Sequence, residues 1–172
     1  GDPGLAREQL ELALGRPGAD GQLPDVVHDT GVIAGSDDLP PADLARLREL
    51  GSPAADPAVA VPLTKPPLAA LALARLVEAG APAEWLDRLL PVVRRSQDWW
   101  FRHGFAADGL PEYHHPYSSG LDDSPVFDAD LPVATPDLAA YLELQDLLLA
   151  DLLDAQGQAA RRDTAPGRPR PG

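Results

Sequence analysis

The sequence contains no cysteine and no methionine, and Trp, Tyr and Phe occur only three times each. The absence of cysteine excludes disulfides, thiolate metal sites, iron–sulfur clusters and a cysteine nucleophile. Cations are also scarce, since 14 Lys and Arg residues stand against 27 Asp and Glu residues, a net charge of −13. A chain this acidic does not attract nucleic acid or an anionic membrane surface through its overall field.

Long apolar runs are missing as well, because Arg, Glu or Pro interrupts each one well short of a membrane span. The first residues show neither the basic region nor the apolar stretch of a signal peptide. We therefore expect, by default, a cytoplasmic protein without nucleic-acid or membrane partners. Because the chain begins at Gly1 rather than Met, we also expect a processed start or a piece of something larger.

The 172 residues amount to one domain, which is long enough to bury a hydrophobic core without disulfides or a structural metal. The apolar periodicity predicts an all-α fold with helices over approximately 5–14, 41–50, 66–80, 82–103 and 136–157. The third of these helices is apolar on nearly all sides, so we expect it to be buried. Residues 16–41 are predicted to be loop, with at most a short strand at 26–27 and 32–33.

Residues 104–135 show no helical or strand period and are rich in polar and aromatic residues. A long connection inside a small domain is usually functional, which makes this segment the place to search for a site. After Gly157 the helical pattern stops, so we expect a domain over 1–157 and a disordered or frame-shifted tail over 158–172.

An ordered series of short motifs crosses this segment and its flanks. They are WWF at 99–101, DGLPEY at 108–113, HP at 115–116, SGLDDSP at 119–125, FD at 127–128, PDL at 136–138 and, upstream, TKPPL at 64–68. Their order and spacing resemble glycoside hydrolase family 63, especially its mannosylglycerate and glucosylglycerate hydrolase-like branch. The resemblance is strong over 96–157 and weaker over 22–95, and the trehalases share a related pattern.

The resemblance implies a partial (α/α)6 toroid, with about half of the helical hairpins and long loops, and an inverting α-glycosidase. By position, Asp122 is the general acid, which must be protonated at the working pH. The neighbouring Asp123 carboxylate would favour that state by like-charge repulsion. In this family the general base is a Glu of later hairpins. The resemblance therefore implies a fragment of an enzyme that hydrolyses an α-glucoside or a mannosylglycerate-type substrate. We expect this fragment to be inactive alone, because it lacks that base.

The remaining site predictions are substrate contacts. They are Tyr113, His115, Tyr117, Gly120, Asp123, Lys65 and His28. Aromatic faces pack on the C–H surfaces of sugars, and imidazoles bond their hydroxyl groups. Other interpretations stay open: the aromatic and imidazole side chains as buried loop anchors, Lys65 as a solvated side chain, and Asp122 as the cap of a turn.

The loop carboxylates also raise the question of a metal. Clustered loop oxygens suit Ca²⁺, and the candidates would be Asp122, Asp123, Asp128 and Asp130. Their spacing does not match an EF-hand loop, so we predict neither a metal nor a cofactor. The alternative to an enzyme is a non-catalytic helical module that binds carbohydrate or is structural. We also expect possible self-association through exposed apolar helix faces.

Overall fold

The computed structural model describes residues 2–33, 35, 38–55 and 63–164, with side chains of the last helix described as far as Gly157. Within these residues the chain forms helices α1 to α5, at Pro3–Leu14, Pro41–Glu49, Ala69–Glu78, Ala83–His103 and Pro136–Thr164. Short 3-10 helices lie at Pro53–Ala55, Pro116–Ser119 and Pro125–Phe127. The predicted all-α fold is confirmed.

Four short strands form two antiparallel pairs. Strands β1 (Val26–His28) and β2 (Gly31–Ile33) make a tight hairpin at the two places where a strand was predicted. Strands β3 (Glu112–Tyr113) and β4 (Val133–Ala134) pair across the segment 104–135. This second pairing joins residues 112–113 to the end of the segment, so part of the predicted loop has regular structure.

Two helix boundaries differ from the prediction by about three residues or more. Helix α3 begins at Ala69 rather than Pro66, because a residue that precedes a proline, as Pro66 precedes Pro67, is disfavoured in the helical region. Helix α5 runs through Gly157 to Thr164, since an interior glycine costs a helix only about 1 kcal/mol. Part of the predicted tail is therefore helical, and residues 165–172 lie outside the described residues.

Helices α1, α3, α4 and α5 pack around one hydrophobic cluster, here called the helix core. Its buried members are Leu14, Ala70, Leu73, Leu76, Trp85, Leu86, Leu89, Leu90, Val93, Leu149 and Leu152. Along α3 only Arg75 and Glu78 are exposed, as expected for a helix that is apolar on most sides. Because α3 is covered within the chain, self-association would have to use other surfaces, and it stays a prediction.

A second cluster, the loop core, lies under the segment 104–135. Its buried members are Leu39, Leu47, Leu50, Ala55, Leu63, Trp99, Trp100, Tyr113, Phe127, Leu131, Leu138 and Leu142. Trp99 and Trp100 are therefore core residues, packed edge to face with ring centroids 5.4 Å apart. The loop core fixes the segment against α2 and against the adjoining ends of α4 and α5.

A buried polar network joins three helices. The Gln145 Oε1 atom of α5 accepts a hydrogen bond from the Ala70 N–H of α3 at 3.2 Å, and its Nε2 donates to Gln97 Oε1 of α4 at 2.7 Å. Leu68, the residue that precedes α3, makes no side-chain cap. Because the first amides of a helix lack intrahelical partners, Gln145 supplies a cap from another helix.

Among the described residues, no helix is both long enough and apolar enough to cross a membrane.

Candidate functional site

Polar side chains from four separate parts of the chain meet at the first 3-10 helix of the segment 104–135. We call this group the Lys65 cluster, and it consists of Asp25, Asp43, Lys65, His115, Tyr117 and Asp122. Asp25 precedes β1, Asp43 lies in the first turn of α2, and Lys65 precedes α3. The tertiary fold therefore gathers four of the predicted site residues and adds two carboxylates that the sequence analysis missed.

Lys65 is held by two contacts. Its Nζ lies 2.8 Å from Asp25 Oδ1 and donates a hydrogen bond to the Tyr117 carbonyl oxygen at 3.0 Å. The Asp25 side chain is only 3% exposed, whereas that of Lys65 is 43% exposed. Burial raises the pKa of Asp25 against the lowering effect of Lys65, and the nearby charge of Asp122 raises it further. The Lys65 ammonium is thus fixed in place by a buried carboxylate.

Tyr117 lies at the centre of the cluster. Its hydroxyl group donates to Asp43 Oδ2 at 3.1 Å, and its backbone N–H donates to His115 Nδ1 at 3.0 Å. The Lys65 Nζ lies 6.0 Å from the centroid of the ring. Burial raises the pKa of Tyr117, and the carboxylates around it act in the same direction. The ring is therefore half-buried, oriented at both ends and kept as a neutral phenol.

His115 is 3% exposed, and its ring centroid lies 4.4 Å from that of Tyr117. Burial lowers the pKa of His115 to about 4, the charge of Asp43 opposes this shift, and Lys65 reinforces it. Because Nδ1 accepts the Tyr117 N–H, the neutral imidazole carries its proton on Nε2. His115 acts structurally as the N-terminal cap of the 3-10 helix, which matches the loop-anchor interpretation.

Gly120 ends the same 3-10 helix with φ of +72°, a left-handed conformation that glycine adopts without strain. A tight turn follows, closed by a hydrogen bond from the Ser124 N–H to the Leu121 carbonyl oxygen at 2.9 Å. Asp122 and Asp123 occupy the middle of this turn, and both are exposed. Asp122 is close enough to raise the pKa values of Asp25 and Tyr117. The turn thus presents the Asp122 carboxylate at the edge of the cluster.

The structure places two predicted contacts elsewhere. Tyr113 is 0% exposed, its hydroxyl donates to Asp137 Oδ2 at 3.1 Å, and its ring packs against Trp100 and Phe127. Burial and Asp137 both raise its pKa. In this position Tyr113 anchors the segment to α5 and presents no surface to a ligand. His28 is exposed at the end of β1, where it lines a groove of about 760 Å³ beside α1.

Asp25 and Asp43 gave no signal in the sequence. Asp25 precedes a β-branched pair, and Asp43 is an acidic residue in the first turn of a helix, where the helix dipole favours it anyway. Only the fold shows that Asp43 accepts the Tyr117 hydroxyl and that Asp25 pairs with the lysine beside the same ring. Within the described stretches, no three acidic or histidine side chains are grouped so that they could hold a metal ion.

The cluster has the chemistry of a hydroxyl-binding surface. Carboxylates accept hydrogen bonds from hydroxyl groups, and an oriented tyrosine ring offers an apolar face with a polar tip. An exposed carboxyl group on a rigid turn can reach a bound molecule and exchange a proton with it.

Comparison with known proteins gives one finding for the whole chain. The family model of the mannosylglycerate hydrolase MGH1-like glycoside hydrolase domain matches residues 1–168. Neither a curated protein nor a solved structure gave a significant match.

Proposed function

The chain belongs to the family of mannosylglycerate hydrolase MGH1-like glycoside hydrolase domains, and from that premise we propose that it supplies the general acid of an inverting α-glycosidase. The family gives it a glycosidase-type function and a carbohydrate substrate. One observation supports the finer proposal: the Lys65 cluster joins Lys65 to Tyr117, 52 positions away in the sequence, next to Asp122.

In this proposal Asp122 is the general acid. It donates its proton to the glycosidic oxygen as the bond from that oxygen to the anomeric carbon breaks. A water molecule forms the new bond to the anomeric carbon from the opposite face and gives its proton to a second carboxylate, about 6.5–9.5 Å from the acid. Its exposed position on a turn closed by a hydrogen bond lets Asp122 approach the leaving group.

The general base has to be a carboxylate other than those of the cluster. Asp25 is paired with Lys65, and Asp43 accepts the Tyr117 hydroxyl, so both carboxylates are already engaged. We therefore propose that residues 1–157 supply about half of the hairpins of an (α/α)6 toroid and bind an α-glucoside or α-mannoside without turning it over. A Glu of further hairpins would complete the site.

Tyr117 is the residue on which binding depends most in this proposal. Its half-buried ring forms the platform for the C–H face of the sugar, while Lys65, Asp43 and Asp122 bond the hydroxyl groups. His115 and Gly120 keep the platform in place from beneath, through the cap and the left-handed turn.

Saturation-transfer NMR on the purified chain tests this binding. We expect methyl α-glucoside or methyl α-mannoside to receive saturation and the β-anomers to receive much less. Tyr117→Ala should abolish the signal, Tyr117→Phe should keep most of it, and Tyr141→Ala, a tyrosine change on α5 outside the cluster, should leave it unchanged. The proposal fails if the α-glycosides receive no saturation, or if Tyr117→Ala folds and binds like Tyr141→Ala.

The second candidate function is a carbohydrate-binding module without any catalytic role, favoured by the same engagement of Asp25 and Asp43. Azide distinguishes the two, because it is a nucleophile that needs no general base. With an α-glycosyl fluoride, the acid proposal expects the C–F bond to break with a proton from Asp122 while azide forms the C–N bond. The β-glycosyl azide should form faster than without protein and should fall to background in Asp122→Asn. A pure binding module gives background in both.

A further inference from the structure

The hydroxyl group of Ser119 joins the 3-10 helix Pro116–Ser119 to the residues that follow it. Ser119 is 5% exposed, and its Oγ donates a hydrogen bond to the Pro116 carbonyl oxygen at 2.6 Å. The same Oγ accepts a hydrogen bond from the Leu121 N–H at 2.9 Å. A serine hydroxyl has one proton to donate, and here the Pro116 carbonyl takes it. Ser119 therefore acts within the loop and has no proton left to offer a ligand.

The bond to Leu121 fixes the start of the turn that carries Asp122. Ser119 holds the Leu121 N–H, and the Leu121 carbonyl oxygen accepts the Ser124 N–H at 2.9 Å. Both peptide groups of Leu121 are thus held, and the second of them joins Leu121 to Asp122. Because a peptide group is planar, only the dihedral angles of Asp122 itself are then left to direct its carboxylate.

The 3-10 helix on the other side of this bond is anchored as well. Its Tyr117 carbonyl oxygen accepts a hydrogen bond from Lys65 Nζ at 3.0 Å, and the Tyr117 hydroxyl donates to Asp43 at 3.1 Å. These contacts hold the Tyr117 ring without any help from the turn. Ser119 is thus the link between a fixed ring and the turn of Asp122.

We propose that Ser119 is a positioning residue, which sets the place of the Asp122 carboxylate relative to the Tyr117 ring. This inference rests on the proposed function, in which Tyr117 is the sugar platform and Asp122 is the general acid. A glycosidic oxygen above the platform receives the proton only if the acid lies within hydrogen-bond reach of it. Without the Ser119 hydroxyl the turn can adopt other orientations, while the platform keeps its own contacts. The sugar should then still bind, and proton transfer should become slow.

The size of the effect follows from the sensitivity of catalysis to position. A misplacement of about 1 Å can lower a rate on the order of 100-fold. We therefore expect Ser119→Ala to lower the kcat of azide transfer from α-glucosyl fluoride about 10- to 100-fold. In that reaction azide forms the bond to the anomeric carbon, and fluoride leaves with the proton of Asp122. The affinity for methyl α-glucoside should stay unchanged, because Tyr117 and its contacts are left in place.

Three serine variants of the full chain test the inference. Ser118→Ala is the matched control, because Ser118 is also 5% exposed, lies in the same 3-10 helix and accepts the Thr64 N–H at the long distance of 3.5 Å. This control should keep the transfer rate of the parent chain. Ser119→Cys places a weakly bonding thiol in the same space, so it should show the loss even if Ser119→Ala does not fold. Amide hydrogen exchange adds a readout besides catalysis, since the Leu121 N–H should exchange faster in both Ser119 variants and not in Ser118→Ala.

The outcomes separate the inference from the proposed function. If the Ser119 variants transfer azide as fast as the parent chain, or if exchange of the Leu121 N–H is unchanged, the inference is overturned while the acid role of Asp122 stands. It is also overturned if Ser118→Ala loses as much rate as Ser119→Ala, or if the Ser119 variants lose affinity for methyl α-glucoside along with the rate. Either of these results shows a general loss of structure. If the parent chain forms no glycosyl azide above background, the proposed general acid is wrong, and the inference is wrong with it.

Discussion

Replacing Gln145 by leucine should destabilise the fold strongly, although the two side chains are similar in size. Gln145 is 1% exposed and lies where α3, α4 and α5 meet. The change removes the acceptor of the Ala70 N–H and the donor to Gln97 Oε1 in a single step. Both partners stay behind in the interior without a hydrogen bond.

The magnitude follows from those two orphaned groups. Leaving a buried donor or acceptor unsatisfied costs about 1–3 kcal/mol for each group, which gives about 2–6 kcal/mol in total. The leucine side chain offsets part of this through apolar contact, so we expect a loss of about 2–4 kcal/mol. Since a domain is typically stable by only about 5–15 kcal/mol, such a loss is large.

Urea unfolding, followed by tryptophan fluorescence and far-UV circular dichroism, measures the loss. Gln156→Leu is the matched control, because Gln156 lies on the same helix and bonds Asp87 at the surface. We expect the control to stay within about 0.5 kcal/mol of the parent. Adding Gln97→Leu to Gln145→Leu should cost less than the sum of the single changes, since one orphaned acceptor disappears with its residue. A loss under about 0.5 kcal/mol for Gln145→Leu, or strict additivity in the double variant, would refute the reasoning.

Three further perturbations test the site and its support. Because the pKa of His115 is about 4 in the fold and about 6.5 when unfolded, the unfolded chain binds a proton first as the pH falls. The free energy of unfolding should therefore decline from pH 6.5 towards pH 4 by up to about 1.4 kcal/mol per pH unit. Urea titrations at several pH values should show a weaker dependence of this free energy on pH for His115→Asn than for the parent chain. Lys65→Met should lower the free energy of unfolding by about 1–3 kcal/mol, because it leaves the buried Asp25 carboxylate unpaired. Adding Asp25→Asn to this variant should restore most of the midpoint temperature of thermal unfolding. If the midpoint does not recover, the pairing of Lys65 with Asp25 is contradicted. Gly21→Ala should lower the free energy of unfolding in urea by about 2–4 kcal/mol. A Cβ at this position would lie 2.6 Å from the Arg95 carbonyl oxygen, and the backbone has φ of +101°. An unchanged urea midpoint would show that the contact is not tight.

The helices could be predicted because their signals are local. A proline marks the start of most of them, as at Pro82 and Pro136, and the apolar spacing fixes the buried face. The core role of Trp99 and Trp100 followed from the same spacing. The end of α5 could not be predicted, because a single glycine lowers helix stability without terminating the helix.

The site could be predicted only where its residues belong to a continuous motif. Tyr117 and Asp122 lie in the segment that the sequence singled out, and Lys65 lies in the upstream motif. Asp25 and Asp43 reach the cluster through tertiary packing, which leaves no trace in local spacing. Tyr113 shows the opposite problem. Its place in the motif predicted a sugar contact, but strand β3 places its ring in the loop core.

The separation of the loop core from the helix core has a consequence for cooperativity. Helices α4 and α5 contribute residues to both clusters, with Trp99 and Leu138 in the loop core and Trp85 and Leu149 in the helix core. Two hydrophobic clusters bridged by the same helices can open at different free energies, as partial unfolding units do in native-state hydrogen exchange. Amides of the segment 104–135 should then exchange through a sub-global opening that leaves the helix core closed. A sugar bound at the Lys65 cluster would slow amide exchange in that unit alone. Ligand binding would then raise the opening free energy of the segment 104–135 and leave that of the helix core unchanged.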